Sequence, residues 1–153
     1  MTKSISRLAA CALFCAMLSP GWAGAADTEE TPASATTGNF DAAQTLVDAE
    51  RFDEALPLLR QLDQETPDNP DVLNLIGFSL RKTGHMTEAL DFYNRALALN
   101  PKHLGANEYL GELYLETHQP EKAKERLEVL RLACGDCEEF EDLQAQIDKL
   151  AAQ

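Results

Sequence analysis

The sequence predicts an all-α fold, a right-handed α-solenoid of three helix-turn-helix units followed by a C-terminal capping helix. Two observations predict it. Equivalent residues recur at a fixed spacing of 34 positions without a gap, and each copy contains two segments of helical apolar periodicity around a turn. A single helical hairpin cannot bury its apolar stripe by itself, so consecutive copies are expected to stack into one continuous core.

The first 25 residues have the organisation of a secretory signal peptide. Lys3 and Arg7 form a positive segment, residues 8–18 form a short apolar one, and Ala23-Gly24-Ala25 supplies the small side chains that signal peptidase requires. We expect cleavage after Ala25, which would deliver the mature chain to the periplasm or the exterior. Loss of the two basic residues leaves 11 basic against 26 acidic residues, a formal charge of −15 in place of −13.

Other interpretations of the N-terminus fit its residues less well. Residues 8–26 are uncharged and could remain as a membrane anchor, but Pro20 and Gly21 interrupt that segment before a cleavage site that could also follow Ala26. A lipoprotein signal at Cys11 is rejected because no apolar segment precedes it. After cleavage we expect no stable membrane insertion, and the acidic charge argues against nucleic acid as a partner.

The predicted mature chain begins with a flexible polar linker at 26–35 and continues with units at 36–69, 70–103 and 104–137. Four positions keep their character in all three units: the eighth is small (Ala43, Gly77, Gly111), the eleventh large (Leu46, Leu80, Tyr114), the twentieth alanine (Ala55, Ala89, Ala123) and the twenty-fourth large (Leu59, Tyr93, Leu127). Small residues let two helices approach closely. We therefore expect Gly77 to face Ala89, and Leu80 to face Tyr93.

These positions resemble the tetratricopeptide repeat. The middle unit matches best, through Gly77, Leu80, Gly84, Ala89, Tyr93, Ala96 and Pro101. The resemblance covers about 100 of the 153 residues. It implies a solenoid whose first helices line a concave groove for a protein or peptide partner. Pro57 departs from the pattern and predicts a mild kink, while Gly135 replaces the closing proline and predicts a glycine C-cap.

The last segment, residues 138–153, predicts the capping helix. Phe140, Leu143, Ile147 and Leu150 are spaced by three, four and three residues, which places them on one helical face. Polar residues occupy the other faces. Such a helix seals the exposed apolar end of a repeat array.

The resemblance places the second, fifth, ninth, twelfth and thirteenth positions of each unit in the groove. Ten candidate partner-binding residues are Phe40, Gln44, Val47, Asn74, Phe78, Arg81, Lys82, Glu108, Glu112 and Leu115. They predict an apolar strip, a basic spot at Arg81 and Lys82 and an acidic wall, a surface suited to an extended peptide or a partner helix. Packing of Phe40 and Phe78 against neighbouring helices is the alternative. The basic residues with which some members clamp a C-terminal carboxylate are absent, so that activity is not implied.

Cys134 and Cys137 are the cysteines of the predicted mature chain, and in an exported protein such a pair is expected to form a disulfide. The bridge would staple the third unit to the capping helix. A Cys-x-x-Cys pair also occurs in thiol-redox and metal-handling proteins. Covalent haem would require a histidine where Glu138 stands, and the three histidines lie 16 or more residues from the pair, which disfavours zinc.

The sequence contains no evident combination of nucleophile, base and acid and no glycine-rich phosphate loop. We therefore expect a protein that is not an enzyme and uses neither a cofactor nor a metal. The leading hypothesis is an exported scaffold or adaptor of the cell envelope that binds a peptide or partner helix in its groove. The alternative is a thiol-redox or metal-handling accessory protein that works through the cysteine pair.

Overall fold

Seven α-helices and no strand make up residues 32–152, the part of the chain that the computed structural model describes. The helices are α1 (Pro32–Asp48), α2 (Phe52–Glu65), α3 (Pro70–Lys82), α4 (Met86–Leu99), α5 (Leu104–Glu116), α6 (Pro120–Ala133) and α7 (Glu138–Ala151). The predicted signal peptide and its cleavage site lie outside the described residues. No helix within 32–152 combines the length and apolarity that a membrane crossing requires.

The helices pair as α1–α2, α3–α4 and α5–α6, and each pair packs against the next. Helix α7 contacts both α5 and α6. The all-α solenoid of three hairpins and a capping helix is therefore confirmed. Helix α1 begins at Pro32, four residues before the predicted start of the first unit, and proline is favourable at a first helical position. Helix α2 continues through Pro57.

The turn inside each unit has a left-handed residue at the fifteenth position. The φ angles there are 56° at Glu50, 86° at Gly84 and 59° at His118. Only glycine adopts this conformation without steric cost, so the middle unit alone has the residue that the turn prefers. The turn after α6 is similar, because Gly135, the residue after the C-cap Cys134, has a φ of 82°, as expected for a glycine that ends a helix.

The buried side chains show how the repeat positions pack. Tyr93 is fully buried, and a Cβ placed on Gly77 would lie 2.7 Å from its ring. The Tyr93 ring therefore lies against the glycine, and Leu80 belongs to the same apolar cluster. In the third unit, Leu143 of α7 occupies the equivalent place at Gly111. The capping helix therefore supplies packing that the middle unit obtains from its own second helix.

The apolar side chains form two clusters. The larger extends over α1 to α5, and the smaller joins Ala123, Leu130, Leu143 and Ile147 between α6 and α7. Tyr114 packs against both clusters. The core is therefore continuous in the sense that the repeat pattern predicts, but its last section depends on the capping helix.

Candidate functional site

A hollow of about 240 Å³ opens between α1, α3 and α5. We call it the groove hollow; its lining is Gln44, Val47, Asp48, Glu50, Phe52, Leu75, Phe78, Lys82 and Tyr109. The Phe78 ring centroid lies 5.8 Å from that of Phe52 and 4.5 Å from that of Tyr109. Lys82 Nζ is 5.4 Å from the Phe78 centroid. The hollow thus combines an aromatic wall with a cation, an arrangement that can hold an apolar side chain.

The structure places only part of the predicted groove at this hollow. Gln44, Val47, Phe78 and Lys82 line it, whereas Phe40 packs against the larger apolar cluster. Leu115 packs against the smaller cluster and lines separate hollows beside α7. The predicted apolar strip is therefore interrupted, because its last member, Leu115, packs at the capping helix and not at the groove hollow.

Arg81 is not part of an exposed basic spot. Only 4% of the residue is exposed, one guanidinium nitrogen lies 2.6 Å from Glu116 Oε1, and the other pairs with Glu112. Burial alone would lower the pKa of Arg81, but the nearby Tyr93, Glu112 and Glu116 raise it above its ordinary value, so the group stays charged. The predicted basic spot is thus reduced to Lys82.

Glu112 connects the middle unit to the end of the array. Its carboxylate accepts a hydrogen bond from Gln146 of α7 as well as pairing with Arg81 of α3. The guanidinium carbon of Arg81 also lies 5.5 Å from the ring centroid of Phe78 and 5.8 Å from that of Tyr109. Two of the acids predicted on the groove face, Glu112 and its neighbour Glu116, are therefore neutralised within the chain.

A second hollow, of about 200 Å³, lies where the start of α7 meets the start of α5. We call it the acidic hollow; its lining is Gly105, Glu108, Tyr109, Glu138, Glu139 and Asp142. Glu108 is only 7% exposed. Burial, followed by repulsion from acids that include Glu112 and Asp142, raises the pKa of Glu108 to about 8, although Arg81 opposes the shift.

The repeat signature is recognised over most of the described helices. Two family models, both for the tetratricopeptide repeat, match residues 40–103 and 80–147. This chain belongs to the tetratricopeptide repeat family. The second match reaches into α7, so the tetratricopeptide pattern extends to the capping helix.

One curated protein and several solved structures resemble the chain in sequence or fold. Human General transcription factor 3C polypeptide 3 is 34% identical over 101 residues, which are 65% of this chain and 11% of that protein. The first TPR of Spaghetti, bound to an HSP90 peptide, shares 18% identity over 77% of this chain and 94% of that chain, with a TM-score of 0.68. The Yersinia enterocolitica translocator chaperone SycD shares 13% over 80% and 92%, with a TM-score of 0.67. The two structures support the fold alone.

The cysteine pair lies at the end of the tetratricopeptide array. Cys134 is the C-cap of α6 and Cys137 is the N-cap of α7, with Cα atoms 5.7 Å apart and the sulfurs at 2.04 Å. A bond between them would restrain the turn that orients α7. Within residues 32–152, no group of three or more His, Cys, Asp or Glu side chains is placed to hold a metal ion. The predicted disulfide and the thiol-redox alternative stay predictions.

The tetratricopeptide pattern does not identify several of the residues that line the two hollows. Tyr109 lies one position beyond a groove position, and Phe52 opens a second helix, yet both form the aromatic wall. The sequence does offer one indication for Tyr109. It is an aromatic residue at a position where members with a carboxylate clamp have a basic one. Glu138 and Glu139 are explained from sequence by the positive end of α7. No periodicity reveals that this end lies against α5.

Proposed function

We propose that the chain is an exported, non-enzymatic adaptor that holds an extended peptide or a helix of a partner protein in the groove hollow. Tetratricopeptide repeat proteins are generally scaffolds for protein interactions. The observation that supports this role here is the partly exposed aromatic wall of Phe52, Phe78 and Tyr109 around a hollow of about 240 Å³. Aromatic anchors that fill such hollows contribute much of the free energy of binding at protein interfaces.

The structural neighbours indicate what kind of ligand to expect. The Spaghetti domain is bound to an HSP90 peptide, and SycD is a translocator chaperone. The positions equivalent to the carboxylate clamp of chaperone-binding members are Phe40, Gln44, Leu75, Gly105 and Tyr109, none of which is basic. The proposed ligand is therefore a segment anchored by an apolar side chain, and not an acidic C-terminal tail.

The proposed location is the periplasm or the exterior, on the strength of the signal-like residues 1–25. A disulfide between Cys134 and Cys137 is compatible with an oxidising compartment. Retention through residues 8–26 as a membrane anchor is the alternative. The intact mass of the chain recovered from its native cells distinguishes the two, because cleavage after Ala25 removes the whole apolar segment.

Affinity capture tests the groove. The mature chain is immobilised, exposed to cell-envelope extract, and the retained proteins are identified by mass spectrometry. Phe78→Ala should lower recovery of the partner at least about tenfold, since loss of a central aromatic anchor costs about 2 kcal/mol or more. Lys82→Glu, which reverses the charge beside the hollow without opening a cavity, should change the amount recovered in the same assay.

The matched control is Leu132→Ala, which truncates an apolar side chain that is 65% exposed on α6 and lines neither hollow. It should leave recovery unchanged. Circular dichroism establishes that each variant keeps its helices. Full recovery by a helical Phe78→Ala variant would reject the groove as the binding surface.

A further inference from the structure

The acidic hollow adjoins the groove hollow, because Tyr109 lines both. Its lining includes four carboxylates, those of Glu108, Glu138, Glu139 and Asp142, and no basic side chain. A solvated acidic surface is common on a chain of this charge, and the positive end of α7 accounts for Glu138 and Glu139. Neither explanation applies to Glu108, which belongs to the second turn of α5 and is more than nine-tenths buried.

Glu108 lacks the partners that its neighbour has. One helical turn further along α5, Glu112 is paired with Arg81 and accepts a hydrogen bond from Gln146. Among the described residues, Glu108 has neither a hydrogen bond nor an ion pair, and its carboxyl group faces the acidic hollow. An ionised carboxylate on a largely buried side chain is unfavourable without a donor, and a ligand in the hollow that carries donors would remove that cost.

A neighbouring acceptor is also unsatisfied. The buried Oδ1 of Asn74 has no hydrogen-bond partner within the described part of the chain. The amide nitrogen of the same side chain lies 3.1 Å from where a Cβ on Gly105 would stand, and Gly105 lines the hollow. The unpartnered oxygen of Asn74 thus belongs to a side chain that packs against Gly105, one of the lining residues.

The geometry favours an organic cation over a metal ion. The carboxylates are not gathered closely enough for three of them, or any three His, Cys, Asp or Glu side chains within 32–152, to hold a metal. A guanidinium or ammonium group carries several donors and can reach carboxylates that lie apart. Tyr109 lines the same hollow, and its ring attracts cations, as the approach of Arg81 to 5.8 Å illustrates.

We propose that the acidic hollow binds the basic side chain, arginine or lysine, of the peptide that occupies the groove hollow, with Glu108 as its central acceptor. The identity of the ligand as a peptide rests on the proposed function, whereas the cation site does not. The bound segment then carries an apolar residue for the groove hollow and a basic residue close to it. This charge pattern is opposite to that of an acidic C-terminal tail and complements the formal charge of −15 expected for the mature chain.

The first test uses two small probes of nearly the same shape, N-acetyl-arginine amide and its uncharged analogue N-acetyl-citrulline amide, titrated into the mature chain and followed by NMR. The arginine probe should bind at least about tenfold more tightly, and Glu108→Gln should reduce its affinity to that of the citrulline probe. Glu141→Gln is the matched control. Glu141 is exposed and lies in the first turn of α7 with Glu138 and Glu139, but it does not line the hollow. It should leave the affinity unchanged.

Calorimetry in two buffers of different ionisation enthalpy at pH 7 provides a readout that a purely structural Glu108 would not affect. With a pKa of about 8, Glu108 is mostly protonated at that pH. A bound cation favours the ionised form, so binding should release up to one proton. Glu108→Gln should release none.

Other outcomes overturn the proposal. Equal affinity for the two amides, or unchanged binding by Glu108→Gln, would exclude the cation site. If calcium chloride binds in a Glu108-dependent manner while the arginine probe does not bind, the hollow is a metal site instead.

A second test distinguishes a peptide from a free polyamine. Peptides with one leucine and one arginine at varied spacing should bind more tightly than spermidine, and Phe78→Ala should abolish that difference. Tighter binding of spermidine would assign the hollow to a free polyamine.

The two proposals can fail separately. Glu108-dependent binding of the arginine probe, together with partner capture that is insensitive to Phe78→Ala, would keep the cation site and reject the groove. If capture depends on Phe78 but not on Glu108, and the arginine probe does not bind, the groove is kept and the cation site is rejected.

Discussion

The middle unit and the C-terminal end both bury an ionisable group, but the two groups have different surroundings. In the middle unit, Arg81 is met by Glu112, Glu116 and two aromatic rings. At the end, Glu108 is buried to a similar degree and meets further acids. The paired group is explained by the fold itself. The unpaired group is unfavourable for the folded chain alone, and a ligand is the physical reason that we propose for it.

Apolar packing differs between the same two regions. Tyr93 fills the space at Gly77 from within the middle unit, whereas Gly111 of the third unit depends on Leu143 of the capping helix. Large apolar side chains are exposed in both regions, at Leu99 (44%) in the middle unit and at Leu132 (65%) and Leu150 (42%) towards the end. Inner units of a repeat array have neighbours on both sides and terminal ones do not. The third unit therefore relies on α7 for packing that the middle unit obtains from its own second helix.

Removal of the buried cation should have the largest effect. Arg81→Ala leaves Glu112 and Glu116 without their partner, and breaking a buried ion pair in this way costs about 3–5 kcal/mol of unfolding free energy. Urea denaturation measures the loss. Lys82→Ala, the exposed neighbour, should change stability by no more than about 0.5 kcal/mol. Similar losses in the two variants would show that Arg81 does not connect the units.

Removal of the unpaired acid should stabilise the protein, and the gain should depend on pH. The pKa of Glu108 is about 8 in the native state against roughly 4.3 in an unfolded chain. Between these values the native state binds more protons than the unfolded state, so the stability of the parent falls as pH rises through that window.

The Gln side chain of Glu108→Gln does not titrate. The unfolding free energy of this variant should therefore increase relative to that of the parent from about pH 4 to about pH 8. The gain should reach roughly 2 kcal/mol at the upper end, after allowance for solvent screening, and vanish at the lower end. Denaturation across this range measures it. Glu112→Gln, which weakens a paired acid, should instead destabilise the protein; the same sign for both variants would remove the contrast between the two carboxylates.

Sequence reasoning succeeded where the repeat decides the structure. The spacing of 34 residues places Gly77, Ala89 and their equivalents, and hence the solenoid, because small residues recur where the helices of each unit pack closely. It did not identify Arg81 as buried, since its partners lie 31 and 35 residues further along, on the next unit. Nor could it find the acidic hollow, whose acids adjoin Glu108 only because of how the non-repeating α7 docks against α5.

The smallest of these effects concerns the turns, where the middle unit has Gly84 and the third has His118 at the same position. A left-handed residue other than glycine costs about 1 kcal/mol, so His118→Gly should raise the unfolding free energy by roughly that amount. His85→Gly is the control, because this exposed turn histidine has a φ of −87° and gains nothing from glycine. Urea denaturation of both variants measures the difference. If His118→Gly gives no gain over His85→Gly, the strain at this turn is relieved elsewhere, and the third unit is as well formed as the middle one despite its missing glycine.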